Sequence, residues 1–152
     1  MKEVNNLNIV ADASAILCAV FPDEASDQAK LLMKDYALGK VDFYGPSLII
    51  LELLNSCLIA KRRGRISQEN LEKLVEELSG LQIKWVDIEN HPLEIFYICS
   101  KFNISSYDAS YIISAKLMGS ELVTADRRLY NSVRNDMPFV RLIDNYQNNN
   151  AQ

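Results

Sequence analysis

Hydrophobic and polar positions along this chain change period several times, and the changes mark out its elements. Residues 7–11 (LNIVA) form a short apolar run that ends at Asp12 and reads as a buried strand. A helix is predicted over 14–21, broken by Pro22-Asp23, and a second over 26–38, closed by Gly39. A brief strand at 42–44 leads into Gly45-Pro46, and a long helix follows over 47–63, ending at Gly64. Another helix spans 67–78, with Gly80 behind it. Residues 83–88 (IKWVDI) alternate like a strand. Helices are then expected over 93–102 and over 106–118 up to Gly119, followed by a strand at 121–124. A short helix at 127–133 and a last strand at 139–143 complete the pattern.

Strands separated by helical stretches call for right-handed crossovers and a mainly parallel sheet covered on both faces, an α/β fold. No repeat and no linker interrupts it, so one domain is expected over 1–145. The polar residues 146–152 read as a disordered tail. In sheets of this kind ligands bind beyond the carboxyl ends of the strands.

Composition narrows the class. The chain has 152 residues, 49% hydrophobic and 24% charged, enough apolar material for one packed core. No apolar run approaches the roughly 20 residues that span a bilayer. The N-terminus lacks the basic start, long apolar stretch and cleavage site of a secretory signal. A cytoplasmic protein with no membrane association is expected. Cys18, Cys57 and Cys99 are dispersed in apolar helical segments, which suits small buried hydrophobes in a reducing compartment rather than a zinc site. Net charge is −4, so any contact with nucleic acid must be local. Lys61, Arg62, Arg63 and Arg65 offer one such patch, and Arg127 and Arg128 a second. Both could equally be helix-end cations on solvated turns.

Four carboxylates stand in costly or telling places. Asp12 and Asp126 each follow an apolar strand and precede a helix, so parallel strands put both on one edge of the sheet. Each could also be a helix N-cap. Glu52 is the only charge between Ser47 and Ala60, in a helix apolar nearly all round that should be largely buried. A buried carboxylate is expensive unless it is paired or binds a metal, and no basic residue lies within a turn of it. The alternative is a Glu at the helix margin reaching solvent. Asn55 and Ser56 lie on the same helical face and could orient it. Asp108 is the only charge between Lys101 and Lys116, at a helix start where the dipole also favours an acid. Four acids without cations would repel, and hard divalent ions with oxygen ligands relieve that repulsion. Mg²⁺ or Mn²⁺ is the expected cofactor.

The segments VADASAI, LIILELLNSCL, SSYDASYIISAKLMG and LVTADRRL, in that order and spacing, resemble the PIN-domain family, most of all its small VapC-type ribonuclease toxins. The resemblance covers about residues 7 to 143. It implies a three-layer α/β/α sandwich and metal-dependent cleavage of RNA. Asp12, Glu52, Asp108 and Asp126 take the positions of the family's acidic metal ligands. Ser14 and Thr124 match its hydroxyl residues beside the first and last acids, and Asn55 matches an Asn of the second motif. On this reading Ser14 and Thr124 would position waters or the phosphate. The resemblance also implies a homodimer held inactive by a small antitoxin protein. The first helices and residues 48–58 could supply apolar surface for such contacts, though core packing explains most of those positions equally well.

Competing chemistries find less support. The single histidine, His91, sits beside a proline and reads as a turn residue, which disfavours a Ser-His-Asp triad. Neither G-x-G-x-x-G nor G-x-x-x-x-G-K-[ST] occurs. A phosphoaspartate receiver would need a lysine at a later strand end, where this chain has ELVTAD. A PIN-fold RNA-processing or RNA-binding module without a toxin role remains the alternative.

Overall fold

The computed structural model describes residues 6–21 and 23–147. Five strands make one sheet: β1 (Leu7–Ala11), β2 (Val41–Gly45), β3 (Ile83–Trp85), β4 (Glu121–Thr124) and β5 (Val140–Leu142). Their spatial order is β3-β2-β1-β4-β5, and every pairing is parallel. The helices are α1 (Ala13–Val20), α2 (Asp27–Ala37), α3 (Ile49–Arg62), α4 (Gln68–Ser79), α5 (Pro92–Phe102), α6 (Ser106–Met118) and α7 (Arg127–Val133). The chain moves one way across the sheet from β1 to β3, then returns to β4 and continues to β5. Right-handed crossovers therefore put α1 to α4 on one face and α5 to α7 on the other. This is the α/β/α sandwich expected.

Strand order reverses between β1 and β4, the place where an open parallel sheet leaves a crevice. Asp12 sits there. It follows Ala11 directly, and its N–H donates to Val123 O at 3.1 Å, joining the two strands at their carboxyl ends.

The sheet centre is formed by Ile9, Val10, Phe43 and Leu122, all buried. Above it lies α6, whose residues 109–115 are buried without a break. The small side chains of Ala109, Ser110, Ser114 and Ala115 let this helix approach the strands closely. Its hydroxyls are satisfied within the helix: Ser110 donates to Tyr107 O at 2.6 Å and Ser114 to Ser110 O at 2.9 Å.

Three expectations shift. The strand at 83–88 stops at Trp85, because its one neighbour, β2, ends at Gly45, the partner of Trp85. The long helix carrying Glu52 is not buried all round: Leu51 is 71% exposed, and Ile50 and Leu58 are also exposed. It packs on α1 and α4 and leaves one flank open. The polar tail begins later than Tyr146, which is buried and donates its hydroxyl to buried Asp35 at 2.9 Å. Residues 148–152 of that tail lie outside the described residues. No helix among the described residues is long and apolar enough to cross a membrane.

Candidate metal centre

Asp12 caps α1, as a strand-to-helix Asp should, with Ala15 N donating to Oδ1 at 2.9 Å. Capping accounts for only one of its bonds. Ser14 Oγ donates to the same oxygen at 2.6 Å, and Thr124 Oγ1 donates to Oδ2 at 2.5 Å. Each hydroxyl has one proton, so both are committed to Asp12, and their own 3.2 Å approach is a contact without a hydrogen to share. Backbone groups fix the hydroxyls in turn: Ala125 N donates to Ser14 Oγ at 2.9 Å and Asp126 N to Thr124 Oγ1 at 3.0 Å. Ser14 and Thr124 thus act on the Asp12 carboxylate. A carboxylate offers about four lone-pair sites, so three donors leave room for one more partner.

Burial works against the charge these donors support. Asp12 is 5% exposed. Desolvation lifts its pKa from 3.8 to about 6, against the lowering effect of the Ser14, Thr124 and Ala15 bonds. The Asp108 charge adds to the rise.

Glu52 lies in the first turn of α3, which leaves the carboxyl end of β2 beside β1. Burial raises its pKa, and the charges of Asp12 and Asp108 raise it further, while the Tyr111 hydroxyl beside it pulls the other way. Its Oε1 is buried, yet among the described residues neither it nor Tyr111 Oη completes a hydrogen bond of ordinary geometry. Asp108 stands in the first turn of α6, three residues after the cap Ser105. A helix that returns to the start of a parallel strand begins at the sheet's carboxyl edge, which is why Asp108 joins Asp12 and Glu52.

Asp126 is placed differently. It is exposed, and its Oδ1 caps α7 by accepting from Arg128 N at 2.8 Å and Leu129 N at 3.1 Å. It lines one open cleft of about 620 Å³ together with Ser14, Glu52 and Ser56. Asn55 is exposed and Ser56 half-buried, so Ser56 is the one of that pair that reaches the cleft.

The donor set suits a hard divalent cation. Among the described residues none of these four acids forms an ion pair, and Glu52 Oε1 is buried without a partner. Among the described residues, no three His, Cys, Asp or Glu side chains close on a single point.

The basic residues separate into two kinds. Arg65 also lines the cleft, but Asp23 and Glu24 each hold its guanidinium at 2.8 Å and it rests over the Phe21 ring. Arg127 pairs with Asp144. Lys61, Arg62, Arg63 and Arg128 are exposed and make no ion pair among the described residues. His91 stands at the start of α5 beside Glu94 and does not line the cleft. The thiols of Cys18, Cys57 and Cys99 are free. Cys57 is buried, and Cys18 lines the cleft and donates to Glu24 O.

Tyr111 was not singled out by the sequence pattern, although it lies three residues after Asp108 on the same helical face. An aromatic in an apolar helix reads as core, and only the carboxylates around its hydroxyl show otherwise.

Comparison with known proteins identifies the family and the fold. The PIN domain family model matches residues 9–134. Ribonuclease VapC3 of Pyrobaculum aerophilum is 27% identical over 126 residues, covering 81% of this chain and 92% of that protein. The crystal structure of PAE2754 from Pyrobaculum aerophilum superposes with a TM-score of 0.62 at 20% identity, over 91% of this chain and 85% of that one. The structure of FitAB bound to an IR36 DNA fragment gives a TM-score of 0.64 at 14% identity, over 93% and 99%. At these identities the two structures speak to the fold alone.

Proposed function

This chain belongs to the PIN-domain family, and from that premise we propose that it is a metal-dependent endoribonuclease, the toxin of a type II toxin–antitoxin pair. The observation that carries the proposal is Asp12: a buried carboxylate held by Ser14, Thr124 and Ala15, beside Glu52 and Asp108, with no cation paired to it among the described residues. The relative named Ribonuclease VapC3 supports RNA as the substrate class.

Asp12, Glu52, Asp108 and Asp126 would hold Mg²⁺ or Mn²⁺. When bound, the ion offsets the charge that builds on the phosphoryl oxygens and eases deprotonation of the attacking water. Ser14 and Thr124 favour the ionised form of Asp12 and fix the direction of its carboxylate beside Glu52 and Asp108. Lys61, Arg62, Arg63 and Arg128 are available to contact RNA phosphates, and such contacts position the strand without reading its sequence. Arg65 and Arg127 contribute less, because carboxylates already occupy them.

The toxin role brings two partners, a second copy of the chain and a small antitoxin protein, in the cytoplasm. Exposed Leu93, Phe96, Tyr97 and Tyr107 on α5 and the start of α6 form an aromatic surface suited to the dimer contact. A PIN-fold RNA-binding module without cleavage is the second reading. The separation of the acids among the described residues favours it.

Incubation with mixed RNA, with and without Mn²⁺, tests the enzyme reading. Cleavage that appears only with the metal supports it, and intact RNA under both conditions sinks it. Induced expression in a bacterial host tests the toxin role: growth arrest that Asp12→Asn relieves supports it, and normal growth of cells making active enzyme speaks against it.

A further inference from the structure

We propose that Tyr111 is a positioning residue for Glu52: its hydroxyl donates to the Glu52 carboxylate when the acidic cleft is loaded, fixing which oxygen faces the ion. The inference rests on the reading of this cleft as a divalent-metal site.

Tyr111 is 1% exposed, among the largest fully buried side chains of the chain. Its Oη and Glu52 Oε1 are the two buried side-chain polar atoms without a hydrogen-bond partner among the described residues. Orphans of this kind are rare in folded proteins, because a buried polar group without a partner forfeits its hydration for nothing. Here the two stand beside each other. The groups facing the phenol oxygen are the Glu52 and Asp12 carboxylates and the backbone N–H of Ala13.

Ala13 is the first residue of α1, so its N–H has no partner within the helix, and the Asp12 cap serves Ala15 instead. A phenol can accept from one group and donate to another. Accepting from Ala13 and donating to Glu52 would tie α6 to α1 and α3 at one point, behind the acids. A phenylalanine would fill the same space without stranding a hydroxyl in the interior. Groups that orient a metal ligand from behind, when removed, typically weaken metal binding about 10–100-fold.

The test is Tyr111→Phe, read by Mn²⁺ titration calorimetry and by the urea unfolding midpoint without metal. The metal-free midpoint is expected to hold or rise, since no completed bond is lost, while the Mn²⁺ dissociation constant increases about 10–100-fold. In a Glu52→Gln background the same substitution should change Mn²⁺ affinity by less than about threefold, because coupled residues do not add. Unchanged Mn²⁺ affinity in Tyr111→Phe, beside a wild type that binds, overturns this inference alone. So does a variant that loses stability without metal yet binds Mn²⁺ normally, which marks the hydroxyl as structural. An effect of equal size in the Glu52→Gln background removes Glu52 as the group acted on. A wild type that fails to bind Mn²⁺ overturns the metal-site reading together with it.

Discussion

Thr124 Oγ1 donates to Asp12 Oδ2 at 2.5 Å, joining the end of β4 to the end of β1 across 112 positions of sequence. The bond lies where the strand order reverses, so it serves both the sheet and the site. Thr124→Val keeps the shape and removes the donor. The expected cost is about 1–3 kcal/mol of stability, as for any buried charged acceptor that loses a partner. Urea unfolding measures it. A variant as stable as wild type would mean that this hydroxyl does not support the Asp12 charge.

Asp12 also sets a pH dependence. Its pKa in the folded chain is about 6, against an ordinary 3.8. The folded state therefore binds more protons than the unfolded state between these values. Stability from this group is present below about pH 4 and is lost as pH rises through about 6. The difference of about 2 units corresponds to about 3 kcal/mol. Glu52 shifts in the same direction. Without metal, the chain should be less stable at pH 7.5 than at pH 5, and Asp12→Asn should flatten that slope. Mn²⁺ should restore stability at pH 7.5 more than at pH 5, because protons compete with the ion. Unfolding curves at both pH values for both chains decide the point.

Far from the cleft, Tyr146 donates to Asp35, and Lys40 approaches the same carboxylate at 3.9 Å. Tyr146→Phe leaves a buried acid short of its closest donor and should cost about 1–3 kcal/mol. RNA cleavage should be unchanged once the chain is folded. A loss of cleavage at full stability would connect this end of the molecule to the site.

The basic residues should divide by their partners. Arg62→Ala or Arg63→Ala should weaken single-stranded RNA binding and lower the salt dependence by about one unit of slope each. Arg127→Ala should change the slope less, since Asp144 already neutralises it. Binding titrations at several salt concentrations test this, and equal effects from all three would contradict it.

Much of this was legible in the chain. Apolar runs that end in an acid placed Asp12 and Asp126 at one sheet edge, because parallel strands leave no other choice. Asp108 was assigned to that edge mainly through the family resemblance, although the helix before a parallel strand must begin at the carboxyl edge. Glu52 was singled out for the wrong surroundings. Its helix is half open, as Leu51 shows, and the charge is costly because of local burial first, and of Asp12 and Asp108 after it, rather than an apolar helix on every side. Pairings made by distant side chains could not be read from local pattern. Arg65 with Asp23 and Glu24, Arg127 with Asp144, and the approach of Tyr111 to Glu52 depend on which loops and helices the fold brings together. The strand at 83–88 was overcounted for a related reason, since its length is set by β2 and not by its own alternation.

The most direct test of the central claim compares wild type with Asp12→Asn in RNA cleavage at saturating Mn²⁺. The substitution keeps the size of the side chain and most of its hydrogen bonding while removing the charge. A fall in rate of at least about 100-fold is expected, with RNA binding retained, since the lost interaction matters in the transition state rather than in binding. Cleavage by Asp12→Asn at the wild-type rate would contradict the account.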